Sequence, residues 1–199
     1  MSEVYHQEVF VKDLVSALKE LHFQEGVTPS TADLNKAVTK VAIKYGLSVW
    51  AKHLDESENP DRDNSHISGH EWLYDLFCYR FESEHYALSD TVLVMESEWW
   101  DKHKSPKGND GGDQYGEVKF DFQKLLVSNA DIKLMVYRHQ DGCVGNDADL
   151  EQYFRRRIDN YRQGRATDLF LFARYSDKTY TEGQCSVCSY SKARGWKKL

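Results

Sequence analysis

Three carboxylates and one lysine stand where they could do chemistry together. The stretch VLVMESEW, residues 92–99, runs four apolar residues into Glu96 and Glu98, two positions apart. Successive side chains of an extended strand point to opposite faces, so Glu96 and Glu98 would share a face with Val92 and Val94. Asp75 sits in a second apolar stretch, EWLYDLFCYRF, residues 71–81. A carboxylate set among core residues is costly unless it is paired or binds a cation. If the two stretches pair as a hairpin, Asp75 comes near Glu96. Close carboxylates raise one another's pKa unless a divalent ion sits among them. Oxygen donors of this kind suit Mg2+ or Mn2+ better than zinc. An ion held in this way activates a nucleophilic water and stabilises charge on a phosphoryl group.

Each residue also has a plainer reading. Asp75 could cap a turn or pair with an arginine such as Arg80. Glu96 and Glu98 could mark the exposed end of a strand where the chain leaves the core. Lys124, in DFQKLL, could be a solvated lysine flanking the apolar face of a helix.

The elements that must position these groups follow from periodicity. Val11, Leu14, Val15, Leu18 and Leu21 recur at helical spacing from about Glu8 to His22. A second helix opens at STADL, where Ser30 or Thr31 can cap and Asp33 suits the first turn. Its apolar face is Leu34, Val38, Val41, Ala42 and Tyr45, and Gly46 either interrupts it or is tolerated within it. Residues 54–69 are polar and turn-rich, a loop, and residues 101–116 form a long Gly-rich loop. The next helix places Val118, Phe122, Leu125, Leu126 and Asn129 on one face. A strand over 132–138, a helix over 146–164 capped by Asn146 or Asp147, a strand at DLFLFARYS and an extended segment over 182–191 complete the chain. The order predicts an α/β fold, a single domain over 1–199 with a central mixed β-sheet flanked by helices.

The succession of Asp75, then Glu96-x-Glu98 on an apolar strand, then a helix containing DFQKLL, then the strand IKLMVYR, resembles the PD-(D/E)XK nuclease superfamily. The resemblance covers roughly residues 30–138, with 146–199 as a C-terminal embellishment. It implies a restriction-endonuclease-like fold and a metal-dependent nuclease that hydrolyses phosphodiester bonds of DNA or RNA with Mg2+ or Mn2+. Asp75 would be the first metal ligand and Glu96 the second, with the main-chain oxygen of Ser97 as a further donor. Glu98 stands where the family keeps its lysine, and Tyr74 stands where it keeps proline. Some members carry the lysine on the following helix; Lys124 then orients or deprotonates the water, assisted by Gln123. The alternative is an inactive member of the same fold, acting as a protein- or nucleic-acid-binding module. The SEWW edge would then serve a protein partner or a second copy of the chain.

Other clusters exclude more than they propose. His66, His70 and Glu71 lack the HExxH spacing of a zinc hydrolase. Cys185 and Cys188 form a lone CxxC without further zinc ligands, read as reduced thiols. Arg155, Arg156 and Arg157 and the tail Lys192, Arg194, Lys197 and Lys198 form either a solvated face or a phosphate groove, and Trp196 could stack on a base. Trp99 and Trp100 suit aromatic core, a lid or a partner surface. A net charge of −6 argues against coating nucleic acid over the whole surface, while leaving room for a local basic groove. No run approaches the roughly 18 apolar residues of a membrane helix, and MSEVYHQEVF lacks the order of a signal peptide. A cytoplasmic location is the expectation.

Overall fold

The computed structural model describes residues 6–21, 29–51, 54, 73–81, 88–99, 115–139, 147–176 and 185–199. The chain divides into two compact units, Met1–Met95 and Glu96–Leu199. The loop 55–69, the histidines His66 and His70, Trp100, the loop 101–114 and Cys143 lie outside the described residues.

The first unit carries two helices and an antiparallel sheet. Helix α1 (Gln7–Glu20) buries Leu14, Val15 and Leu18 of the expected face together with Phe10, while Val11 and Leu21 are half-buried. Helix α2 (Thr31–Lys44) starts at a capping box: the Ser30 hydroxyl accepts from the Asp33 backbone N–H, and Asp33 accepts from the Ser30 N–H. Leu34, Val38, Val41 and Ala42 are buried along it. Gly46 stops the helix outright. Its φ is +69°, its N–H donates to Ile43 O, and Leu47 N–H donates to Ala42 O, the two bonds of a Schellman end. The helices meet where Lys44 and Tyr45 both donate to Asp13, at 2.7 and 2.8 Å.

The sheet of this unit runs β1 (Ser48–Ala51), β2 (Leu76–Phe81) and β3 (Leu88–Glu98), each antiparallel to the next. The hairpin of β2 and β3 forms as expected, ending on Leu76 opposite Met95. β1 carries no sequence signal because four residues are too few to show a period. Asp75 differs from expectation: it lies in the bend Leu73–Asp75 ahead of β2 and is half-exposed. A carboxylate placed there keeps contact with water, which a mid-strand position would deny it. Arg80 pairs with Asp90, its partner across the ladder, at 3.8 Å.

The second unit begins with the last residues of β3. It continues through α3 (Gly116–Val127), β4 (Ile132–His139), α4 (Asp147–Asn160), β5 (Leu169–Ser176), β6 (Cys185–Ser191) and β7 (Gly195–Lys198). β4 and β5 are parallel, joined through α4 as a βαβ unit, while β5, β6 and β7 are antiparallel, so this sheet is mixed. Its core is aromatic. Phe154 of α4 stacks on Phe172 with ring centres 4.5 Å apart and sits 4.6 Å from Phe122 of α3. The chain is thus α/β in both units. Helix α3 ends at Val127 with Ser128 as its cap, so Asn129 is exposed beyond it rather than on the apolar face. β7 extends the sheet where the sequence shows only a basic tail; Gly195, at φ +70°, follows the tight turn Lys192–Arg194. Among the described residues no helix is long and apolar enough to cross a membrane.

Local structure in the first unit is open to direct test. Ser30→Ala removes one half of the capping box and should lower stability by about 1 kcal/mol. Gly46→Ala forces a side chain into the left-handed region at a similar cost, about 1–2 kcal/mol. Urea denaturation of each variant measures both.

Candidate functional site

The end of β3 and one flank of α3 build the most chemically distinctive cluster of the second unit. β3 is buried on both faces: Val92, Leu93, Val94 and Met95 are all inaccessible, and the burial continues through Glu96 and Ser97. Glu96 is only 2% exposed, so it is not the exposed strand end of the plainer reading. Glu98, the next residue on that strand face, is half-exposed. Helix α3 packs on β4 through Val118, Phe122, Leu125 and Leu126. Asp121 and Lys124, one turn apart, flank that apolar face, while Phe120 and Val127 stand out in solvent.

Lys124 is where the carboxylates converge. Its Nζ lies 2.7 Å from Asp121 Oδ1 and 3.4 Å from Glu96 Oε1. Burial opposes the charge on Lys124, but its hydrogen bond to Asp121 and the charge of Glu96 outweigh that, so its pKa is raised above the usual lysine value. Lys124 is therefore a cation at neutral pH. Gln123 points elsewhere: its amide donates to Tyr153 of α4 at 2.7 Å and to Lys119 O.

Of the residues singled out in the sequence, Glu96 and Lys124 are brought together. Asp75 belongs to the first unit, in the bend ahead of β2. Asp121 was passed over, although its spacing of three before Lys124 on a helix is a readable sign of pairing. Among the described residues no three His, Cys, Asp or Glu side chains are grouped as a ready-made ion site.

A second charge cluster lies under the same unit's sheet and was also passed over. Lys133, within the apolar strand β4, is 1% exposed, and its Nζ donates to Asp168 Oδ2 at 2.9 Å. Asp168 also accepts from Arg165 Nε at 2.7 Å and from the Arg165 backbone N–H at 3.2 Å. Burial pushes the Asp168 carboxyl up, but the hydrogen bonds and charges of the Lys133 and Arg165 side chains more than offset it and hold its pKa below the usual carboxylate value. Arg165 reaches on to Asp131, at 3.1 Å, and to Ala130 O. A pocket of about 230 Å³ opens beside this cluster, lined by Ser128, Asn129, Gln163 and Gly164 among others. The signal for it was present: a lysine inside IKLM demands a partner as surely as an aspartate inside LYDLF.

The remaining motifs resolve simply. Among the described residues neither Cys185 nor Cys188 is in a disulfide. Trp99 is half-buried with its ring 5.5 Å from Tyr175. Trp196 stacks on Phe172 at 5.1 Å with Arg155 4.9 Å from its centre, so the indole is already engaged by protein groups rather than offered to a base. Comparison with protein-family models, with curated proteins and with solved structures finds no match to this chain.

The buried pair yields a pH prediction with a definite sign. The folded pKa of Asp168 lies below its unfolded value, so its contribution to stability is present above the unfolded carboxylate range and is lost as pH falls through the folded value. Asp168→Asn should cost about 3–5 kcal/mol, because it leaves Lys133 buried without its counter-charge. The variant's stability should also fall less steeply below about pH 4 than that of the wild type. Thermal melts across pH read both effects.

Proposed function

We propose that the chain is a metal-dependent nuclease of the PD-(D/E)XK type with a restriction-endonuclease-like fold, hydrolysing phosphodiester bonds of DNA or RNA. The observation that carries the reading is the reach of Lys124, from the helix after β3, to within 3.4 Å of the buried carboxylate Glu96. A family lysine displaced onto that helix would have to make this approach. The donor set supports a hard divalent ion: Glu96 and Asp121 both offer carboxylate oxygens and both converge on one ammonium position. Mg2+ is commonly held by one or two carboxylates, with water and substrate phosphate completing its shell. Bound by Glu96 and Asp121, Mg2+ or Mn2+ would polarise a phosphoryl oxygen and lower the pKa of a water. The parts given to Asp75 and Glu98 rest on the sequence motif.

Lys124 supplies charge rather than basicity in this scheme. Its raised pKa keeps it protonated, so it offsets the negative charge that builds on the phosphoryl oxygens and orients the attacking water by donation. Asp121, besides offering an oxygen to the ion, contacts Lys124 Nζ and so orients the ammonium. Glu96 is held within a buried strand, which favours a preorganised carboxylate.

Cleavage of plasmid, single-stranded DNA and RNA in Mg2+ or Mn2+ tests the reading. Glu96→Gln and Lys124→Met should each reduce cleavage by about 10²-fold or more, since each removes a charge that acts in the transition state. Mn2+ should raise the melting temperature of the wild type and not that of Glu96→Gln. Asp75→Asn tests the sequence motif separately. A wild type that shows neither a metal-dependent melting shift nor cleavage overturns the nuclease and leaves the non-catalytic binding module.

A further inference from the structure

Cations collect on one side of the second unit although the chain as a whole carries −6. Helix α4 buries Leu150, Phe154 and Ile158 and leaves Arg155, Arg156 and Arg157 exposed. The β6–β7 hairpin docks against this helix through specific contacts. The Tyr190 hydroxyl donates to Asp159 Oδ1 at 2.7 Å. Lys192 Nζ donates to Tyr161 O, just past the helix end, at 2.8 Å. The Arg155 guanidinium lies over Trp196 of β7. Alternation along β7 puts Lys198 on the same face as Trp196, and so on the side that Arg155 occupies. Arg194 is exposed at the hairpin turn and Arg162 in the segment after α4.

Helix α4 also carries acids, Asp147, Asp149, Glu151 and Asp159, of which Glu151 pairs with Arg155 at 4.0 Å and Asp159 accepts from Tyr190, whereas residues 185–199 carry Lys192, Arg194, Lys197 and Lys198 and no acidic side chain. Two elements distant in sequence thus combine into one basic face, and its aromatic residue is packed away against Phe172. Exposed guanidinium and ammonium groups, with the tryptophan between them packed against Phe172, suit phosphates.

We propose that the exposed side of α4 and the β6–β7 hairpin form a docking face for the phosphate backbone of a nucleic acid, contacted by Arg155, Arg156, Arg162, Arg194 and Lys198. The inference rests on the nucleic-acid substrate of the reading above and not on its metal chemistry. Local positive charge on an acidic chain confines the polyanion to this face, with the rest of the surface repelling it.

Binding of a fluorescent duplex and of an oligothymidine, measured by anisotropy in EDTA, separates this face from cleavage. The affinity should fall steeply between about 50 and 200 mM salt, because each neutralised phosphate releases counterions. The triple variant Arg156→Gln/Arg194→Gln/Lys198→Gln should bind at least tenfold more weakly. Its slope of log affinity against log salt should shrink by about 0.9 per cation on the duplex, or about 0.7 on the single strand. The melting temperature of the triple variant, read alongside, separates lost binding from lost fold; Lys40→Gln, an exposed cation on α2, should leave binding unchanged. Equal loss in the Lys40 variant, no loss in the triple variant, or tighter binding to vesicles of anionic lipid than to either nucleic acid overturns the proposal. Binding that survives where cleavage is absent retains this face and discards the nuclease.

Discussion

A charge removed from water must find a counter-charge at close range, and in the second unit this requirement shapes the site. The Glu96 carboxylate follows four inaccessible residues, Val92 to Met95, within a strand buried on both faces. Desolvation of a lone carboxylate there would cost several kcal/mol. Lys124 answers it from α3, and it can do so only because Phe122 and Leu125 face inward and turn the Asp121–Lys124 flank towards the strand end. The apolar packing of the helix and the ionic pairing of the strand are therefore one constraint. The same rule operates at Lys133, where Asp168 and Arg165 close a buried network around a lysine in the middle of an apolar strand.

The two networks differ in what they leave available. Around Lys133 the charges are locked: Asp168 takes three donors, and Arg165 is engaged by Asp168, Asp131 and a backbone carbonyl. Such a network stabilises the unit and offers little to a substrate. Around Lys124 one ammonium faces two carboxylates at the edge of the fold, partly open at 27% exposure. That contrast is why the Glu96 cluster, and not the larger Lys133 cluster, is the candidate for chemistry.

Part of this was legible along the chain. Glu96 stood out because a carboxylate directly after four apolar residues has no cheap explanation, and Lys124 stood out through the motif. Asp121 and Lys133 escaped, though each obeys a rule already applied to its neighbours: helical i, i+3 pairing for one, buried charge for the other. Asp75 differs only in placement, since the strand begins one residue later and leaves the carboxylate in a bend. Trp196 read as a base-stacking platform only while Arg155 and Phe172 were out of sight.

What the sequence by itself determined is local. The apolar repeats of the four helices, the capping box at Ser30 and Asp33 and the glycine stop at Gly46 each depend on residues within a turn or two of one another, so spacing alone reveals them. The β2–β3 hairpin was legible for the same reason, since its strands are consecutive and strongly apolar. Only the tertiary structure decided which charges are buried, which cation each one meets, and that β1 and β7 exist at all. Four-residue strands carry no period and form because a neighbouring strand supplies their hydrogen bonds. Burial and ion pairing are likewise properties of residues far apart in the chain, and no local pattern of one partner specifies the other.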